Sequence, residues 1–133
     1  MRSFRPQVQD LIERRMGEVA RGAAALHGAT AELDYRRGYP PTINHADEAG
    51  FAADVAAEIC GEAQVNRNIA PSLGGEDFSY MLRAVPGAMV WLGNGPGEGG
   101  CLLHNARYDF NDSAIPFGVS FFARLAERFL AAE

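Results

Sequence analysis

The sequence predicts an α/β fold, and three observations carry that expectation. Apolar residues recur at three- and four-residue spacing in long segments near both ends of the chain. Ala29 to Arg36 alternates in the period-two manner of a half-buried strand, and Ala88-Met89-Val90-Trp91-Leu92 is continuously apolar between glycines, the pattern of a strand covered on both faces. After residue 44, helical and strand-like segments alternate, the order of a layered α/β unit.

Taken in order, Arg2 to Phe4 fits the end of a strand. Pro6 to Leu26 is predicted as an amphipathic helix. Val8, Leu11, Ile12, Met16, Val19, Ala20 and Ala23 line one face, Pro6 suits the first turn where its missing N–H costs nothing, and Gly28 is the stop. In the strand that follows, Ala31, Leu33 and Tyr35 point one way and Thr30, Glu32, Asp34 and Arg36 the other. Gly38-Tyr39-Pro40-Pro41-Thr42 is the strongest break, because two prolines fix two φ angles and hold the preceding residues extended; a semi-rigid boundary is placed there. Ala46 to Cys60 is the next helix, with Asn44 as candidate N-cap, Asp47 and Glu48 at the positive end and Gly61 as stop. Gln64 to Asn66 reads as a short strand, and Glu76 to Val85 as a short helix closed by Pro86-Gly87. Leu102 and Leu103 fit a strand beside Ala88 to Leu92, and a last helix over Ala114 to Ala132 presents Phe117, Phe121, Phe122, Leu125 and Phe129.

Composition narrows the functional classes. In 133 residues, 17 Asp and Glu outnumber 12 Lys and Arg, a net charge of −5 that argues against a nucleic-acid binder. A chain with 47% hydrophobic and 22% charged residues is globular rather than disordered. No apolar run reaches the ~18 residues of a membrane span, so no membrane association is expected. Met1 to Asp10 lacks the apolar core of a signal peptide, and Cys60 and Cys101 form no CxxC pair; both favour a reduced, cytoplasmic setting.

Four features could carry chemistry. Ser72-Leu73-Gly74-Gly75-Glu76-Asp77 leads two glycines into a helix, where backbone can approach an anionic ligand, although a plain glycine turn followed by acidic first-turn residues is the commoner meaning of such a stretch. Gly93 to Gly100 is glycine-rich after a strand, but it lacks the Gly-Lys-Ser/Thr ending of a phosphate loop, which removes a free-standing nucleotide-binding domain from consideration. Leu103 to Asp112 places His104 where an apolar strand would emerge into a polar loop, a common ligand position in α/β enzymes, although a lone histidine is more often structural. His27 and His45 show no ligand spacing with it. Finally, Tyr39 to His45 is a stiff linker.

In order, YPPTINH, GGEDFSYML, PGAMVWLGNG, LHN-x-RYDFND and IPFGVSFFARLAE closely resemble the metal-dependent amidohydrolases of the hippurate hydrolase and N-acyl-amino-acid hydrolase group, relatives of aminoacylase and of several carboxypeptidases. The resemblance covers essentially the whole chain, but only the C-terminal third or so of such an enzyme. It implies a partial lid half-domain, strand–helix–strand, over residues 1–43, followed by the C-terminal half of an α/β metallopeptidase-like catalytic domain over residues 44–133. Pro40, Pro41 and Asn44 would form the hinge between them. Met1 would then fall in mid-strand, as in a truncated enzyme.

By the same resemblance His104 is a metal ligand, Gly74, Gly75 and Glu76 border the substrate pocket, and Asn105 orients the His104 loop without touching the metal. Ala106 stands where many relatives have proline, which frees that loop slightly. Cys60 and Cys101 match no ligand position. The intact enzyme would use two divalent metal ions (zinc, or manganese, cobalt or nickel) to cleave the amide bond of N-acyl amino acids such as hippurate, or of peptides. The remaining ligands and the general-base glutamate match nothing in this chain, so no catalytic residue is assigned. The chain alone is expected to be inactive, to bind metal weakly, and to associate as a homodimer or higher oligomer through unpaired apolar faces. The alternative is a non-catalytic dimerisation or binding module derived from the same family; it would have no use for His104 or the Gly74-Gly75 loop.

Overall fold

A computed structural model describes residues 3–95 and 103–131. Four α-helices are present: α1 (Pro6–Leu26), α2 (Ala46–Cys60), α3 (Phe78–Ala84) and α4 (Ile115–Leu130), with single 3-10 turns at Glu62–Gln64 and Asp112–Ala114. The chain divides into two compact units, one of Met1–Ile43 with Pro71–Val85, the other of Asn44–Ala70 with Pro86–Glu133.

In the first unit α1 has the span its periodicity predicts. Arg5 is extended at the N-cap, its carbonyl accepts from the Val8 and Gln9 amides, and Pro6 opens the first turn. Gly28, at φ 65°, ends it: its N–H bonds to the Ala25 carbonyl and the Ala29 N–H to the Ala24 carbonyl, the paired bonds of a left-handed glycine stop. The apolar stripe of α1 is only partly covered, since Val8, Leu11, Met16 and Val19 remain exposed. In this unit Ser79 and Leu82 of α3 and Gly17 of α1 are buried.

In the second unit α2 packs on α4. Val55 is 0% exposed, with Ala52 and Ala114 also buried. Glu58 of α2 accepts from Arg124 Nε and Arg128 Nη1 of α4, each at 2.7 Å, and the Arg128 guanidinium lies 5.3 Å from the centre of the Phe51 ring. Arg67 is held by Asp54 at 2.9 Å and by Glu62 at 2.8 Å, which fixes the turn after α2. Gly61 terminates α2 at φ 85°, as expected.

The α/β expectation is overturned: among the described residues there is no strand and no sheet, only helices and irregular segments. The predicted strand–helix–strand of residues 1–43 is a helix followed by an unpaired segment. The reason is specific. A strand exists through a ladder with a neighbour about 4.8 Å away, and no described segment supplies one. Ala31, Leu33 and Tyr35 are indeed half-buried while Thr30, Glu32, Asp34 and Arg36 are exposed, so the side chains alternate without the ladder. Ala88 to Leu92, expected to be covered on both faces, leaves Val90, Trp91 and Leu92 exposed, Trp91 to 61%. Of the predicted Gln64 to Asn66 strand, Gln64 ends a 3-10 turn over Glu62–Gln64, and Val65 and Asn66 are irregular. Leu103 lies in a turn, and Ser3 and Phe4 are irregular. Arg2, Cys101, Leu102, Ala132 and the Pro96 to Gly100 part of the glycine-rich segment fall outside the described residues.

The apolar segment is held by side chains in place of strands. Asn44 does not cap α2, whose N-cap is His45 without a side-chain bond. Its carboxamide instead donates to the Met89 carbonyl and accepts from the Met89 N–H, both at 2.9 Å. The His45 N–H donates to the Gly87 carbonyl, and its Nδ1 accepts from the Gly87 N–H, both at 3.1 Å. Leu92 leans on α4, its Cδ2 lying 3.4 Å from where a Cβ would stand on Gly118.

Candidate functional site

His104 is the only non-glycine with positive φ among the described residues, at 67°. That conformation costs an L-residue roughly 1–2 kcal/mol, so the surrounding loop must hold it. Asn105 supplies part of the hold. Its Oδ1 accepts from the Arg107 N–H and its carbonyl from the Tyr108 N–H, both at 2.9 Å, which makes a tight turn directly after His104. The Asn105 side chain therefore shapes the loop through Arg107 backbone. The His104 side chain itself is exposed.

The base of this loop is fastened by residues that the sequence reading passed over. Asn94 Oδ1 accepts from the Asn111 N–H at 2.7 Å, Asn94 Nδ2 donates to the Asp109 carbonyl at 3.0 Å, and Asn111 Nδ2 donates to the Asn94 carbonyl at 3.1 Å. Asn111 also receives the Ser113 N–H at 3.1 Å, capping the 3-10 turn that leads into α4. The signal in the sequence was two asparagines flanking the histidine loop, each beside small or polar residues suited to turns.

Gly74, Gly75 and Glu76 lie in the other unit, as do Pro40 and Pro41; His104, Asn105 and Asn44 belong to the second. Neither Gly74 nor Gly75 has a positive φ, so conformational freedom is not what glycine provides there. A Cβ on Gly75 would stand 3.4 Å from Tyr39 Cδ2, in ordinary contact with the ring. Tyr39 in turn meets Tyr80 of α3 edge-on, ring centres 6.0 Å apart. The linker tyrosine thus packs on the glycine loop and the helix after it, a role the sequence did not reveal. Glu76 turns inward on its own chain. Its Oε1 accepts from the Phe78 N–H at 3.2 Å, and its carbonyl accepts from Ser79 Oγ at 2.7 Å.

Among the described residues no three His, Cys, Asp or Glu side chains come together as a metal site would require. Cys60 is a half-buried thiol whose Sγ donates to the Ala56 carbonyl at 3.1 Å. No helix of the described residues is long and apolar enough to cross a membrane.

Comparison with known proteins matches residues 4–128 to Peptidase family M20/M25/M40. Among relatives, YhaA of Bacillus subtilis (strain 168), named as an amidohydrolase, is 34% identical over 86% of this chain and 29% of its own length. The hippurate hydrolase of Campylobacter jejuni is 28% identical over 98% of the chain and 33% of its own length. The N-acetyldiaminopimelate deacetylase of Streptococcus gordonii is 31% identical over 90% and 30% respectively. The chain thus spans about a third of the length of these relatives. No solved structure shows significant similarity to it. With all but its first three and last five residues matched, the chain belongs to the peptidase family M20/M25/M40.

Proposed function

We propose that this chain is part of an amidohydrolase that cleaves the amide bond of N-acyl amino acids, hippurate among them, or of peptides. Residues 1–43 would belong to its smaller domain and residues 44–133 to its catalytic one. The observation that carries the reading is His104: an exposed imidazole held in left-handed backbone inside a loop fastened at both ends by asparagines. Backbone strain of that kind persists where the surrounding structure over-determines it, and functional sites are where it concentrates.

A catalytic metal needs three or four protein donors, and the described residues bring no three candidate donors together. The described residues therefore do not by themselves constitute a metal site. In the proposal His104 contributes one imidazole to a divalent ion whose other donors, with the general base, lie in the rest of the enzyme. Asn105 fixes the turn that aims that imidazole. The Gly74-Gly75 amides, on a loop backed by Tyr39, face the substrate's carboxylate, and Pro40 and Pro41 form the hinge.

The test is a chimaera in which this chain replaces the matched third of the Campylobacter jejuni hippurate hydrolase. Hippurate hydrolysis that His104→Ala abolishes and His104→Asn fails to restore is the expected result. Full activity of His104→Ala in a folded chimaera overturns the reading, as does metal-dependent hydrolysis by the 133-residue chain alone.

A further inference from the structure

Asn94 precedes Gly95, and theirs is the only Asn-Gly pair in the chain. Such a pair has its own chemistry, because the main-chain nitrogen of a glycine reaches the preceding carboxamide without hindrance from a Cβ. Gly95 itself sits at φ 71°, and no described residue accepts from its N–H. The carboxamide, by contrast, is held at both ends, Oδ1 by the Asn111 N–H at 2.7 Å and Nδ2 by the Asp109 carbonyl at 3.0 Å. Asn111 is itself fixed by Ser113, whose Oγ donates to its Oδ1 at 2.6 Å.

We propose that Asn94 is a site of spontaneous deamidation whose rate is governed by this clip with Asp109 and Asn111. The step needs only water and a solvent base. The Gly95 amide nitrogen gives up its proton and attacks Asn94 Cγ; the new C–N bond closes a five-membered imide as the Cγ–Nδ2 bond breaks and ammonia leaves. Water then opens the imide at either carbonyl, giving aspartate or isoaspartate at position 94. In the folded chain the two hydrogen bonds fix the carboxamide, so the reaction proceeds through local opening that releases it. The product has no Nδ2 donor for the Asp109 carbonyl, and a carboxylate oxygen stands against that carbonyl oxygen. The inference does not rest on the hydrolase reading and survives its failure.

The purified chain is incubated in mildly alkaline buffer at physiological temperature, and peptide mapping follows the gain of one dalton and the isoaspartate at position 94. The native chain, the same chain in urea, and Asn111→Ala are compared, with Asn66, Asn68 and Asn105 as internal controls. Expected is slow conversion at Asn94 in the native chain, several-fold faster conversion in Asn111→Ala, and the fastest in urea, with the control asparagines slower than Asn94 throughout. Should Asn111→Ala unfold, Ser113→Ala loosens Asn111 without altering its contacts to Asn94, and an intermediate rate is expected. Equal rates in the native and urea-treated chains overturn the proposal. So does a folded Asn111→Ala or Ser113→Ala chain that converts no faster than the parent, or conversion at a control asparagine ahead of Asn94.

Discussion

Asn44 pairs with both main-chain polar groups of Met89: its Nδ2 donates to the Met89 carbonyl and its Oδ1 accepts the Met89 N–H, each at 2.9 Å. A single carboxamide thus makes the two bonds that a neighbouring strand residue would make. With His45 on Gly87 and Asn94 on Asn111, it places the apolar segment 87–94 by its ends.

Asn44→Ala removes both bonds. At ~0.5–1.5 kcal/mol for each hydrogen bond, the loss is about 1–2 kcal/mol for this exposed pair. Asn44→Asp keeps the acceptor but sets a carboxylate oxygen against the Met89 carbonyl, so it recovers little of that loss. Urea unfolding monitored by circular dichroism reads both; an unchanged midpoint for Asn44→Ala would show that the pairing contributes nothing to stability.

Val55 is the fully buried aliphatic side chain of the α2–α4 contact. Val55→Ala removes two methyl groups and leaves a small void, at a cost of about 2 kcal/mol. Val90→Ala, on the exposed apolar segment, is expected within about 0.5 kcal/mol of the parent. Chemical denaturation of the two variants side by side checks the contrast.

The α2–α4 clamp is pH-dependent. Hydrogen bonding from Arg124, with the charges of Arg124 and Arg128, holds the Glu58 carboxyl below its ordinary value of 4.5. Glu62 is lowered in the same way by Arg67. A carboxyl lowered on folding adds stability that is present above pH 4.5, its unfolded value, and is lost as pH falls through the lower folded value. Glu58→Gln is therefore less stable than the parent at neutral pH and matches it in strong acid. Because the groups are solvent-exposed, the neutral-pH difference shrinks in molar salt. Denaturation midpoints across pH, with and without salt, measure this.

Helix α4 presents Phe117, Val119, Phe122, Phe129 and Leu130 to solvent, Phe122 to 69%. Uncovered apolar surface of this extent drives association. The chain is expected as a dimer or larger species at micromolar concentration, with Phe122→Glu shifting it towards monomer. Multi-angle light scattering showing a clean monomer over that range would count against the expectation.

The helices could be read from the sequence because each carries its own signals. Pro6 and Gly28 bracket α1, and Gly61 ends α2, through backbone effects that act within a few residues. The strands could not, because a strand is a relation between distant segments. The alternation of Ala31, Leu33 and Tyr35 survives in their burial, yet alternation cannot supply a partner. The same division applies to the candidate site. His104 stood out by motif, whereas the left-handed backbone beneath it, the Asn94–Asn111 clip and the Tyr39 contact with Gly75 depend on how the loops fold back.

Trp91 is the chain's one tryptophan, and it sits uncovered between the asparagine-held ends of its segment. It is in consequence a built-in optical gauge. Whatever comes to lie against Ala88 to Leu92, a second copy or the rest of an enzyme, must dehydrate that indole and move its emission to shorter wavelength. Bare solvent leaves it red. Assembly on this face can therefore be followed by intrinsic fluorescence, without a label and without waiting for activity.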